Sequence, residues 1–137
     1  MALFYADSSA LVKLVRDEPE SAVLRTFLAD ADLVSCELVL TELPRAVRRA
    51  AADHPQLPLE RLIDRAGETL EAVGLLPLDR GLLLAAGALA EPGLRALDAI
   101  HVTAAADLSP LDAFVSYDER QAAAARLAGI RTVAPGR

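Results

Sequence analysis

The sequence predicts an α/β fold in three layers, with a central, mainly parallel sheet of four to five strands covered by helices on both faces. Three observations predict it. Short apolar runs alternate along the chain with longer segments of helical periodicity, which is the order of a parallel sheet wound with crossover helices. The strand candidates are apolar at consecutive positions, as strands buried on both faces require. Capping residues stand where two of these runs end, Asp7-Ser8-Ser9 after the first and Asp118 after the fourth. A chain of 137 residues fits one domain, 1–137, and can bury a core without disulfides or a structural metal.

Each element has its own signal. Leu3-Phe4-Tyr5-Ala6 reads as a buried strand, and the helix after Asp7 carries Ala10, Leu11, Leu14 and Val15 on one face before Asp17-Glu18-Pro19 ends it. A second helix, Ser21 to Ala29, is expected to bury Val23, Leu24, Phe27 and Leu28, and Leu33-Val34-Ser35 is the next strand. From Glu37 to Ala52 the pattern is helical, with Leu40, Leu43 and Val47 as its stripe; Pro44 predicts a kink or a fresh start there, because proline lacks the N–H and crowds the preceding turn. Pro58 opens a helix with Leu62, Ile63, Ala66 and Leu70 facing inward, which Gly74 is expected to close. Leu75 to Leu78 is a strand too short to be central, Asp79 caps a helix running to about Ala90, and Glu91-Pro92-Gly93 is a turn. A helix from Leu97 to Ala106, a strand from Ala113 to Tyr117, a helix from Glu119 to Leu127 stopped by Gly129, and a strand from Arg131 to Ala134 complete the order.

Composition removes several classes of function. Cys36 is the only cysteine and no Cys/His cluster has zinc-ligand spacing, so a disulfide scaffold and a zinc module are excluded, and a reducing, cytoplasmic setting is expected. The first residues lack the basic and apolar regions of a signal peptide, and no apolar run approaches the roughly 18 residues of a membrane span. The net charge of −6 argues against a broad basic surface for nucleic acid; any such binding is local. Thirteen arginines against the single Lys13 suit phosphate recognition and equally suit a G+C-rich genome.

Acidic residues mark the candidate site. In parallel α/β sheets ligands gather at the carboxyl ends of strands, where Asp7 and Asp118 both fall. Each taken singly is explained as a helix cap. Glu42 and Asp98 lie between apolar neighbours on helical segments and need partners, for which Arg45 or Arg49 and Arg95 stand at helical spacing. If the four carboxylates converge instead, their repulsion raises their pKa values unless a divalent cation neutralises them, and hard oxygen ligands select Mg²⁺ or Mn²⁺.

The motifs around these acids carry a resemblance. Asp7-Ser8-Ser9-Ala10-Leu11-Val12-Lys13-Leu14 resembles the opening of PIN-domain nucleases, Thr41-Glu42-Leu43 their second motif, Leu97-Asp98-Ala99-Ile100-His101 their third, and Ser116-Tyr117-Asp118-Glu119-Arg120 their fourth. The likeness keeps the order and spacing of the VapC branch, the toxins of VapBC toxin–antitoxin pairs, over essentially the whole chain. It implies a PIN-like fold and an endoribonuclease in which Asp7, Glu42, Asp98 and Asp118 bind Mg²⁺ or Mn²⁺ and are the catalytic residues. It also implies a homodimer, and as partners an RNA substrate and a VapB-type antitoxin. Ser9 and Ser116 are candidates to hydrogen-bond the carboxylates. His101, one turn past Asp98, is expected to pack or to support a ligand, and Lys13 and Arg95 are read as solvated charge or as phosphate contacts.

Competing architectures fit less well. A phosphorelay receiver expects an acidic pair after the first strand and a late lysine, whereas Asp7 is followed by Ser8-Ser9 and the lysine is Lys13. Haloacid-dehalogenase phosphatases need a second Asp at the position of Ser9. A PIN-like binding module without activity would suit a broken acidic quartet, and this one is intact.

Overall fold

The computed structural model describes residues 1–137. In chain order its elements are β1 (Leu3–Ala6), α1 (Ser8–Val15), α2 (Ser21–Leu28), β2 (Asp32–Cys36), α3 (Val39–Asp53), α4 (Leu59–Glu71), β3 (Gly74–Leu76), α5 (Arg80–Gly87), α6 (Ala96–Asp107), β4 (Ala113–Val115), α7 (Glu119–Leu127) and β5 (Thr132–Val133). The strands form one five-stranded sheet in the order β3-β2-β1-β4-β5. Every pairing is parallel. The chain winds outward from β1 through β2 to β3, then returns to lay β4 on the other side of β1. This reversal opens a crevice at the carboxyl ends of β1 and β4.

Period-two alternation sorts the apolar side chains into two cores, one on each face of the sheet. Phe4 and Ala6 of β1, with Ala113 and Val115 of β4, face Leu11, Val15, Leu24, Leu43, Val47, Leu62 and Ala66 from α1 to α4. Tyr5 and Phe114, stacked with ring centroids 4.9 Å apart, face Leu82, Val102, Ala104, Ala105, Ala124 and Ala125 from α5 to α7. The three expected layers follow. Alanine supplies four of the nine buried residues of the second core, all of them on α6 and α7.

Several details differ from the sequence reading. On α2 only Leu24 is fully buried; Val23 is half exposed, and Phe27 covers Phe4 from the rim with centroids 4.7 Å apart. Leu40 also faces outward, at 47% exposure. α3 runs through Pro44 as one helix. The carbonyl denied a partner by this proline belongs to Leu40, a residue open to water, while Leu43 and Val47 beyond it are fully buried and hold the helix down. Gly74 does not close α4, which ends at Ala72, but begins β3, where a side chain would meet Val34 Cγ1 at 3.3 Å. Gly129 does stop α7: it takes φ +83°, its N–H donates to Arg126, and Ile130 N–H donates to Ala125, the paired bonds of a Schellman end.

Burial separates residues that hold the fold from those that do not. Leu43→Ala, at a fully buried position, is expected to lower unfolding stability by about 2–5 kcal/mol. Leu127→Ala, at a position 69% exposed, should stay within about 0.5 kcal/mol of the parent when urea midpoints are compared.

Candidate active site

Asp7 is the first residue beyond β1 and caps α1. Its side chain is turned into the protein, with 3% of the residue exposed. Oδ1 accepts from Ala10 N at 3.2 Å and from Ser9 Oγ at 2.6 Å, and Oδ2 accepts from Ser116 Oγ. The same two hydroxyl oxygens accept backbone N–H groups from the β4–α7 loop, Ser9 Oγ from Tyr117 at 2.9 Å and Ser116 Oγ from Asp118 at 3.1 Å. Two serines thus fasten the ends of β1 and β4 together around one carboxylate. Burial raises the Asp7 pKa from the usual 3.8, against the lowering effect of the Ser116 and Ser9 bonds.

Asp118 caps α7 through Oδ1, which accepts from Arg120 N at 2.9 Å and Gln121 N at 3.2 Å, and the residue is exposed. Asp98 lies in the first turn of α6, half-buried, and buried Gln121 donates to its backbone carbonyl at 3.2 Å, tying α7 to α6. Burial raises the Asp98 pKa, and the charge of Asp118 raises it further, while Arg120, His101 and Arg95 pull it down.

Glu42 does not pair with Arg45 or Arg49. Its Oε1 lies 2.7 Å from His101 Nε2. His101 is almost fully buried, with Nδ1 2.7 Å from the Tyr5 hydroxyl and 3.8 Å from Cys36 Sγ. Burial alone would depress its pKa, but contact with Cys36 and with the Glu42 carboxylate lifts it to about 10, and the ring is charged at neutral pH. Its charge also acts on Asp7 and Asp98. His101 is packed and bonded at both ring nitrogens, which meets the packing half of its expected role. Tyr5 and Cys36, its other neighbours, gave no sequence signal, because both read as ordinary strand residues.

Lys13 departs from both of its expected roles. It is buried, bonded to Glu20 Oε1 at 2.8 Å, within 3.6 Å of Glu18, and 4.7 Å from the centre of the Tyr117 ring. Arg137 reaches the same cluster, from Nε to Glu20 at 3.3 Å and from Nη1 to the Tyr117 carbonyl at 3.1 Å. These contacts brace the loop that carries Ser116 and Asp118. Arg95 is exposed and forms no ion pair with Asp98.

Asp7 caps α1 directly after β1, Asp118 caps α7 after β4, Asp98 lies in the first turn of α6 and Glu42 is held against His101, but no three acidic, histidine or cysteine side chains stand together as a closed metal-ligand set. The donor chemistry nonetheless fits a hard divalent cation. The candidate ligands are carboxylate oxygens, and the burial that raises Asp7 and the burial and Asp118 charge that raise Asp98 are what a cation would offset.

Comparison with known proteins places these residues in a lineage. A model of the PIN domain matches residues 4–127. Among curated proteins of Mycobacterium tuberculosis, the chain is 36% identical over 140 residues to Ribonuclease VapC47, covering 98% of each chain. It is 38% identical over 138 residues to Ribonuclease VapC46, covering 98% of this chain and 99% of that one. Among solved structures, Mycobacterium tuberculosis VapC20, described as a sarcin-ricin loop cleaving toxin, superposes with a TM-score of 0.71 at 16% identity, over 96% of this chain and 99% of its own. No helix of the chain is long and apolar enough to cross a membrane.

The buried carboxylate has a cost that can be measured. A carboxyl whose native pKa lies above its unfolded value favours the folded state only while protonated, so ionised Asp7 weakens the metal-free fold at neutral pH. Asp7→Asn keeps the size and most hydrogen bonds without the charge. Its metal-free melting temperature is expected to exceed the parent's by about 2–5 °C at pH 7, and the gain should vanish as pH falls below the usual 3.8 of aspartate.

Proposed function

Because the chain belongs to the PIN-domain family, we propose that it is a metal-dependent endoribonuclease acting as the toxin of a VapBC-type toxin–antitoxin pair in the cytoplasm. One observation carries the reading. At the reversal point of the sheet the protein buries Asp7 at an electrostatic cost, beside Asp98 and Asp118, which repel one another. A position needed only for capping stays in water, as Asp79 does at the start of α5, whereas Asp7 does not. The full-length ribonuclease relatives support the same reading.

PIN-domain VapC ribonucleases are generally dependent on divalent metal, and we infer Mg²⁺ or Mn²⁺ here, held by Asp7, Glu42, Asp98 and Asp118. Such ions, when bound, supply Lewis acidity toward a phosphodiester and acidify a water. The protein's part is placement. The two serines fix both oxygens of Asp7, and the Arg120 and Gln121 N–H groups hold one oxygen of Asp118, leaving the other free to face the cleft. His101 aims Glu42 from the side of the core. A buried imidazole with both nitrogens engaged is not a general base, so proton removal from water falls to the carboxylates.

An acidic cleft of this kind would attract a guanidinium, and an antitoxin tail carrying one would compete with cation and RNA without changing the fold. Leu83, Leu84 and Leu97 leave apolar surface on α5 and α6, which supports a homodimer.

Asp98→Asn should cut RNA cleavage by more than about a hundredfold with circular dichroism unchanged. EDTA should stop the wild-type reaction, Mg²⁺ or Mn²⁺ restore it, and Ca²⁺ restore it poorly. Wild-type rates in the variant, or full activity in EDTA, would refute the metal-site assignment. Expression alone should arrest growth, co-expression of a small neighbouring antitoxin should relieve it, and light scattering at tens of micromolar should give a dimer mass.

A further inference from the structure

We propose that the cavity between the loop preceding α6 and the outer face of α7 is a nucleobase subsite for the RNA, with Arg120 covering one base next to the carboxylate cleft. The inference deepens the proposed function and rests on it. The cavity measures about 210 Å³. Leu94, Ala123, Ala124 and Leu127 form its apolar walls, and Glu91 and Arg120 are its polar groups.

Its position follows from the fold. α7 starts directly after Asp118, so Arg120 stands in the first turn of the helix that carries the fourth acid. Leu94 is in the segment that leads into α6 and Asp98. The Arg120 N–H donates to Asp118 Oδ1 at 2.9 Å, which fixes the start of the cavity's wall beside that carboxylate. A strand of RNA with its phosphate at the carboxylates would therefore bring an adjoining base to this cavity.

Size and chemistry agree on the occupant. The volume equals that of about seven waters at ~30 Å³ each, enough for a planar heterocycle of one or two rings. It falls below the roughly 300 Å³ at which pockets for larger ligands begin, which disfavours a folded peptide. Neither Glu91 nor Arg120 has an ion-pair partner within 4.0 Å, so both side chains remain available. A guanidinium plane stacks on bases and a carboxylate accepts their N–H groups. Apolar walls and the negative charge of Glu91 make the cavity unsuited to phosphate. In a protein of net charge −6 a stacking subsite supplies affinity that a long-range field cannot.

The test uses the full chain in Mg²⁺ with a labelled single-stranded RNA that the wild type cuts at one bond, and measures KM and kcat. Each nucleotide flanking that bond is replaced in turn by an abasic ribose. The variants are Arg120→Ala and Ala123→Phe, the latter at an exposed residue where the ring fills the cavity without touching the core. At one position the abasic substitution should raise the wild-type KM about tenfold, with the change falling on KM and not on kcat. Both variants should show that higher KM on intact RNA and no further loss on the abasic one. If both variants instead follow the wild type at every position, the subsite is refuted while the nuclease stands. The same holds if they cleave normally but no longer bind a co-expressed protein inhibitor, which would make the cavity a protein-docking feature. If the wild type cuts no RNA, the proposed function falls and the subsite with it.

Discussion

A carboxylate removed from water at the end of the central strand is the constraint on which the rest of the site depends. Asp7 is almost fully buried, and an ionised group there is tolerated only if its lone pairs are satisfied. Ser9, Ser116 and the Ala10 N–H meet that demand. Because the serine oxygens also accept the Tyr117 and Asp118 N–H groups, satisfying Asp7 fixes the path of the β4–α7 loop. Asp118 is thereby set at the neighbouring strand end. Placement of the two aspartates and backbone satisfaction are one hydrogen-bond network.

The remaining buried charges are compensated in separate places. On one side of the sheet, Lys13 is enclosed by Glu20, Glu18 and the Tyr117 ring, with Arg137 completing the cluster. On the other, His101 is enclosed by Glu42, Tyr5 and Cys36. Each pairs a buried cation with acid, as burial of charge requires. Asp7 and Asp98 differ in having no close cation partner. Asp7 is buried without an ion-pair partner, which sets it apart from Glu20 and Glu42 more sharply than its position in the sequence does.

Most of the fold was legible because each strand is apolar and each helix has a recognisable start or stop. Asp7, Asp79 and Asp118 are the caps they resembled, and Gly129 ends α7 as expected. The errors share one cause, which is that periodicity reports apolar residues and not what covers them. α2 lies at the margin of its core, so Val23 and Phe27 satisfy the helical pattern yet reach solvent. Pro44 is absorbed because packing of Leu43 and Val47 outweighs a local loss. At the site, the four acids were visible as motifs, but their partners were not. The Tyr5–His101 and Lys13–Tyr117 contacts join residues about a hundred positions apart, and no local spacing encodes them.

The charge balance of the chain bears on how an acidic protein can act on a polyanion. With a net charge of −6, attraction of RNA from a distance is unavailable, and affinity must come from short-range contacts at the cleft. Arg95 and Arg120 flank Asp98 and Asp118, unpaired and exposed, while Lys13 and Arg137 are committed to internal contacts. Arginine at the cleft contributes a plane as well as a charge, and that plane serves a base where a lysine could not. On the proposed reading the acids meet the phosphate that every nucleotide shares, so selectivity would belong to the shape of the apolar wall beside them. On that same reading the acids set the reaction, and the apolar face of α7 that begins beside Asp118 is where a preference among RNAs would arise.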